Sequence, residues 1–254
     1  MLYIQASCCF HQGNVRGNNE DNFAFDNKLM TVSSRLEGQL SLTKPLWAGR
    51  VAMGVFDGMG GLHNGEEASR LAAEVFIRRM RCSLFWPGDG ADCLRHACYA
   101  MNEAVCDFAE RRKQTAGTTA VMLLFSKGVV AMSNVGDSRA YLFREGSLQQ
   151  LSEEHSDKAL LERLGGDRTP SLSQYIGLSS LIMPIEPYST TIMYHRGDRF
   201  LLCSDGLTGM VQDQRIAELC GQSGSADSCA NRLVECALQS GGSDNITVIV
   251  CDIK

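Results

Sequence analysis

Nowhere in the 254 residues is there an apolar run long enough to cross a bilayer, so no transmembrane anchor is expected. The opening residues, MLYIQASCCFHQG, lack a basic segment followed by a long apolar core and do not read as a secretory leader. The cytoplasm is the expected compartment, with no membrane partner. A Lys/Arg stripe is missing too. With 24 Lys and Arg against 29 Asp and Glu the net charge is -5, and a nucleic-acid partner, which needs a basic face, is not expected. Cysteine is plentiful, but zinc-type spacing is absent: the eleven residues from Cys8 to Cys251 include no Cys-x-x-Cys pair. Several, such as Cys98 and Cys229, fall on apolar helical faces and read as buried small hydrophobes in a reducing compartment. Repeats, low-complexity tracts and Pro-rich linkers are also lacking, which leaves no seam at which to divide the chain. A single domain over residues 1–254 is expected, and a monomer.

What is present is a chain of ordinary globular composition, 44% hydrophobic and 21% charged. Leu2–Phe10 and Val51–Phe56 read as strands, the second running into Asp57. Between them, Thr31–Gly49 is polar with scattered apolar residues, a hairpin or a surface excursion. From Glu66 the period becomes helical, with Ala68, Leu71, Ala72, Val75 and Phe76 on one face. A second helix follows WPGDG, with Leu94, Ala97, Cys98, Met101, Val105 and Phe108 as its stripe and Arg111–Lys113 at its end, where cations suit the helix dipole. Then come strand-like runs TTAVMLLF, GVVAMSNV and SRAYLF, a turn at REGS before LQQL, and a short helix SDKALLERLGG closed by Gly165. STTIMYH and RFLLCS follow around an RGD turn, then a helix over Ala226–Gln239 and a closing strand NITVIVCDI. Strands that follow one another directly, with helices in separate blocks, predict an α+β layered domain with antiparallel sheets.

The acids fall at the ends of these runs. Asp57 follows VAMGVF, Asp137 follows AMSNVG, Asp205 follows FLLCS, and Asp244 precedes NITVIV; Glu20 and Asp21 sit just before FAF. Loops gather at strand ends, and a rigid scaffold carries catalytic groups there. Carboxylates that converge repel one another unless a cation stands between them, and a hard divalent ion takes oxygen ligands, including the carbonyl of a glycine such as Gly58. Two such ions can activate water for displacement at phosphorus. Taken singly, each acid has a plainer reading. Asp57-Gly and Ser-Asp205-Gly are good turn chemistry, Asp137 could pair with Arg139, and Arg16 with Glu20 could be a weak surface pair. No EF-hand spacing is present, and GMGG is neither a dinucleotide fingerprint nor a Walker loop, so a nucleotide-binding domain is disfavoured.

In order, GNVRGNNEDNF, VFDGMGGLHNGEEAS, AGTTAVMLL, SNVGDSRAYLFREGSLQQLSEEHS, GDRFLLCSDGLTGMV and GGSDNITVIV resemble the metal-dependent protein phosphatases of the PP2C type, the bacterial branch most closely. These stretches reach from near the N-terminus to the last strand, so the resemblance covers essentially the whole chain. It implies a four-layer α-β-β-α sandwich with two central antiparallel sheets flanked by helices. It also implies hydrolysis of phosphoserine and phosphothreonine on proteins, by a water bridging two Mn²⁺ or Mg²⁺ ions, with no phosphoenzyme. Asp57 would bridge the ions with the Gly58 carbonyl on one of them, and Asp205 and Asp244 would hold the other. Glu20 would serve the metal site directly or through water, Asp21 would support it, and Asn245 would orient Asp244. Asp137 would join the Asp205 carboxylate at a third, weaker ion. Arg16 would bind the substrate phosphate, which a planar guanidinium suits. Phosphoproteins are the implied partners, in opposition to a eukaryotic-like Ser/Thr kinase.

Three departures from that pattern matter. Met59 stands where some relatives have a histidine proposed as general acid, which leaves the leaving-group acid unassigned; His63 reads as a solvated loop residue. Gly209 replaces an aspartate near the metal cluster, which keeps a non-hydrolysing phosphoprotein binder as the second reading. The segment after His155 is short for the family's flap, which would expose the site or alter which phosphoproteins fit. Cys203, beside Ser204 and Asp205, lacks the Cys-x5-Arg loop of the thiol phosphatases and reads as strand core.

Overall fold

A strand with a nearly unbroken apolar run must be covered on both faces. VAMGVF, AVMLLFS and ITVIVCDI are of that kind, which explains why their two-residue alternation is invisible in hydropathy. The computed structural model describes residues 1–30, 36–60, 64–82, 89–157, 161, 163 and 171–254. It sets the strands in two six-stranded antiparallel sheets. One runs β11 (Ser147–Gln150), β10 (Arg139–Arg144), β13 (Arg199–Cys203), β14 (Ile246–Ile253), β1 (Tyr3–His11) and β4 (Glu37–Pro45). The other runs β12 (Tyr188–Met193), β9 (Val129–Val135), β8 (Ala120–Ser126), β5 (Val51–Phe56), β2 (Asn22–Phe25) and β3 (Lys28–Leu29). A small ladder, β6 (Gly58–Met59) with β7 (Gly117–Thr118), prolongs the second sheet toward the site.

Alternate residues of one strand feed different layers. Val51, Met53 and Val55 meet Phe125, Phe200 and Ile249 between the sheets, where Phe125 and Phe200 pack edge-on at 5.5 Å between centroids. Ala52 and Phe56 face outward, onto α1 (Asn64–Cys82) and α2 (Gly90–Arg112), through Ala72, Phe76, Ala97 and Met101. The other sheet turns Leu201, Cys203, Val248 and Val250 toward α4 (Asp213–Gln222) and α5 (Ala226–Gln239). These are the four layers expected. All eleven cysteines are free thiols and eight are buried, as small core residues are.

Some local expectations are revised. Within Thr31–Gly49, residues 37–45 form a single edge strand, β4, in register with β1 from Tyr3↔Pro45 to His11↔Glu37, rather than a hairpin or an excursion. Leu40 and Leu42 dip into the inter-sheet layer while Gln39 and Ser41 reach Asp227 on α5. An edge strand needs only one apolar face, and a pair of leucines supplies it. Helix α1 starts at Asn64, two residues earlier than Glu66. Helix α4 was not anticipated, because its buried stripe is only Ile216, Leu219 and Cys220. The SDKALLERLGG helix lies largely outside the described residues.

Candidate metal centre

Antiparallel pairing decides where the acids go. In such a pair the C-terminal end of one strand lies beside the N-terminal end of its neighbour. The outgoing ends of β1, β5, β9 and β13 therefore share a rim with the incoming ends of β2, β8 and β14. Arg16 follows β1, Asp57 follows β5, Asp137 follows β9, and Asp205 follows β13 as the first residue of the one-turn helix α3 (Asp205–Thr208). Glu20 and Asp21 precede β2, and Asp244 precedes β14. Arg16, Glu20, Asp57, Gly58, Asp137, Asp205, Asp244 and Asn245 all line one open cleft of about 540 Å³.

The backbone there is pinned. The Asp57 amide donates to Thr119 Oγ1 at 3.0 Å, and the Asp57 carbonyl accepts from the Thr119 amide and Thr118 Oγ1 at 2.8 and 2.9 Å. Thr119 Oγ1 meets Ser138 Oγ at 2.6 Å, which ties the loop of Asp137 to that of Asp57. On the far side, Ser204 and Thr247 donate to Asp21 Oδ2 at 2.8 and 2.7 Å. Gly58 backs onto Gly65 at the start of α1 so closely that a Cβ on Gly58 would sit 2.2 Å from the Gly65 carbonyl oxygen. A Cβ on Gly65 would meet Glu20 Oε2 at 2.6 Å, so the N-terminus of α1, with its positive dipole end, abuts the Glu20 carboxylate.

Electrostatically the cleft is in deficit. Burial pushes the Asp57 carboxyl well above the ordinary range, and the charges of Asp205, Asp21 and Asp137 push it further, together with a hydrogen bond to Asp205. Asp137 is raised to about 7, by burial and then by Asp205. Asp21 is raised to about 8 by burial, against the pull of its two hydroxyl donors, and its Oδ1 has no hydrogen-bond partner among the described residues. Arg16 offers partial relief: its Nη2 lies 2.6 Å from Asp244 Oδ2. That pair is at the exposed rim, where such contacts are weak and readily exchanged.

The donor set is entirely oxygen, which suits Mg²⁺ or Mn²⁺ over softer metals. Among the described residues no three carboxyl, imidazole or thiol groups already close around one point. An open arrangement of this kind fits ions that keep several waters. Carboxyls forced toward their protonated forms, as those of Asp57 and Asp137 are, are what such ions would satisfy.

The sequence profile of protein phosphatase 2C matches residues 42–240. The chain belongs to the protein phosphatase 2C family. It is 33% identical over 99% of its length to the serine/threonine protein phosphatase PstP of Mycobacterium tuberculosis, and covers 45% of that protein. To the serine/threonine phosphatase stp of Listeria welshimeri it is 30% identical, over 78% of this chain and 82% of that one. A crystal structure of the catalytic domain of PstP in complex with two manganese ions superposes with a TM-score of 0.79 at 30% identity, over 100% of this chain and 99% of that one.

Within this protein phosphatase 2C chain, the simpler pairings for single acids give way. Arg139 turns from Asp137 to Glu154, at 2.7 Å, and Arg16 pairs with Asp244 rather than Glu20. The side chain of Asn245 accepts from the Glu20 amide and donates to the carbonyls of Gln12 and Asn18, so it fastens the loop that carries Arg16 and Glu20. The hydrogen bond to Asp244 comes from the Asn245 backbone amide, at 2.8 Å. Gly209 caps α3 and is not among the cleft-lining residues. Cys203 is buried in β13 with its thiol pushed up to about 12 by burial, consistent with core. His63 lies outside the described residues, as do residues 158–160, 162 and 164–170 of the segment after His155 that is expected to be a short flap. Sequence reasoning missed Asn18, Thr119, Leu172 and Tyr175 on the cleft wall. Thr119 had a signal, as a hydroxyl beside the strand that pairs with β5; Tyr175 had none, because it arrives from a loop.

Proposed function

We propose that this chain hydrolyses phosphoserine and phosphothreonine on proteins with the aid of bound Mn²⁺ or Mg²⁺. The observation that carries this reading is the convergence of Asp57, Asp137, Asp205 and Asp244, from four separate strand ends, on one cleft with an arginine at its rim. Asp57 and the Gly58 carbonyl would share two cations with Asp205 and Asp244, and Asp137 with Asp205 would offer a third, weaker position. Glu20 would complete the set directly or through water, and Asp21, beneath it, would hold the loops in register. Ions bound there would supply charge neutralisation at phosphorus and a more acidic water. The names of the relatives and the two manganese ions in the PstP catalytic domain support the assignment.

The chain's own groups would do the positioning. Arg16, exposed and paired with Asp244, is placed to exchange that carboxylate for a substrate phosphate, which its guanidinium can grip with two parallel donors. Asn245 and Gln12, which donates to the Arg16 carbonyl at 2.6 Å, hold its loop over the cleft. No helix among the described residues is long and apolar enough to cross a membrane. A role in the cytoplasm, opposing a Ser/Thr kinase, fits this reading.

Phosphate release from a phosphothreonine peptide tests it. Turnover is expected with Mn²⁺ and none after chelation, and Asp205→Asn is expected to lose about a thousandfold in kcat while staying folded as judged by circular dichroism. Chelator-resistant turnover, or full activity in Asp205→Asn, would refute the assignment.

A further inference from the structure

The catalytic cleft has an acidic floor and, against it, an apolar wall made of Met59, Leu172 and Tyr175. The wall is built as firmly as the floor. Ile176 and Thr118 exchange both backbone hydrogen bonds, at 2.8 and 2.9 Å, so residue 175 is fastened to the same β7 strand that pairs with Gly58–Met59. Asn102 on α2 clamps the next two residues, accepting from the Gly177 amide at 2.7 Å and donating to the Leu178 carbonyl at 3.1 Å. Just before, the Gln174 side chain accepts from the Glu186 amide. The Tyr175 ring lies over Gly117, where a Cβ would stand 2.8 Å from Tyr175 Cδ2 and 3.2 Å from Met59 Cγ. Only glycine lets the tyrosine and the methionine come together above β7. The ring is half-buried, packed partly on the α1–α2 layer and partly facing the cleft.

An aromatic held this rigidly costs little to order on binding, and offers apolar area where the rest of the cleft is polar. Asp57 and Gly58 immediately precede Met59, so the ring stands one side chain away from the floor where a phosphate would sit. We infer that, for a phosphatase working at this cleft, Tyr175 is a specificity-determining residue: its ring receives an apolar side chain flanking the phosphorylated serine or threonine. The phenol oxygen is not required for this contact; the ring face is. Tyr175 therefore acts on substrate choice and affinity and leaves the metal centre and the chemical step alone.

Two phosphothreonine peptides, identical except for leucine or serine on both sides of the phosphoresidue, separate the possibilities in the presence of Mn²⁺. Wild type is expected to favour the leucine peptide. Tyr175→Ala is expected to raise KM for that peptide about tenfold, the scale of losing one apolar contact of this size, with kcat and the serine peptide changed less than about twofold. Tyr175→Phe should behave as wild type, and Tyr175→Leu, closer in volume should the alanine variant melt early, should raise the same KM severalfold. Equal losses on both peptides, or a shifted midpoint in a Mn²⁺ titration of Tyr175→Ala, would overturn the inference by showing that the ring acts through Met59 and the metal loop. No change on either peptide would overturn it as well. A wild-type chain that hydrolyses neither peptide would instead remove the phosphatase reading itself.

Discussion

Arg16 and Asp244 meet at 2.6 Å across the rim of the cleft, both substantially exposed. Their contact is too solvated to hold the fold together, so its consequence is functional: the guanidinium is kept near the floor without being locked there. Arg16→Ala is accordingly expected to raise KM for a phosphopeptide about tenfold with a smaller effect on kcat, as removal of ground-state phosphate binding does. Steady-state kinetics on one peptide reads this directly, and an unchanged KM would place Arg16 outside the binding site. At this scale the acids were legible in the sequence, because each stands beside a glycine or small polar residue where an apolar run stops. Their supports were not. The Thr119–Ser138 contact and the three loop-fastening bonds of Asn245 join residues far apart in the chain, and only the sheet register brings them together. Arg139 shows the reverse case, an arginine two positions from an aspartate that finds its partner on another loop.

Among the elements, α1 has the closest hold on the site. Phe76 packs tilted against Phe56 of β5 with centroids 5.9 Å apart, and Ser69 donates to the Glu20 carbonyl at 2.6 Å, so the helix braces both the strand before Asp57 and the loop of Glu20. Its first turn meets Gly58 through Gly65. In an ordinary helix Gly→Ala adds up to about 1 kcal/mol of stability. Here the new methyl would press on Glu20 Oε2 and the Gly58–Met59 backbone, so Gly65→Ala is expected to lower the melting temperature and weaken Mn²⁺ binding together. A gain in melting temperature with unaltered Mn²⁺ binding would show that the contact is slack. Long amphipathic helices such as α1 and α2 declare themselves by period, and fully buried strands by apolar runs. The ten-residue α4, the one-turn α3 and the edge strand β4 do not, because each has too few buried positions to make a pattern.

For the whole molecule, the cluster couples stability to pH and to cations. Asp21 and Asp137 hold protons to about 8 and about 7 in the folded chain, against an ordinary value of 3.8, and Asp57 is raised as well. Each binds its proton more tightly folded than unfolded, so the stabilising contribution is full below about pH 4 and is lost as pH rises to about 8. The cation-free protein is therefore expected to melt at a lower temperature at about pH 8 than at about pH 5, and Mn²⁺ to raise the melting temperature more at the higher pH. Calorimetric scans at both values check this, and a cation-free protein more stable at the alkaline end would contradict it. The layered α+β architecture was readable from strands that follow strands and helices grouped in blocks. That the acids would share one rim was not readable from composition or period; it follows from antiparallel pairing, which puts the exits of β1, β5, β9 and β13 beside the entrances of β2, β8 and β14.

Titration calorimetry with Mn²⁺ tests most directly whether divalent cations bind between the carboxylates of this rim. Wild type is expected to bind at least two ions, and Asp57→Asn, folded as judged by circular dichroism, to lose both, since both would share that carboxylate. Equal Mn²⁺ binding by the two proteins, or none by wild type, would contradict the account.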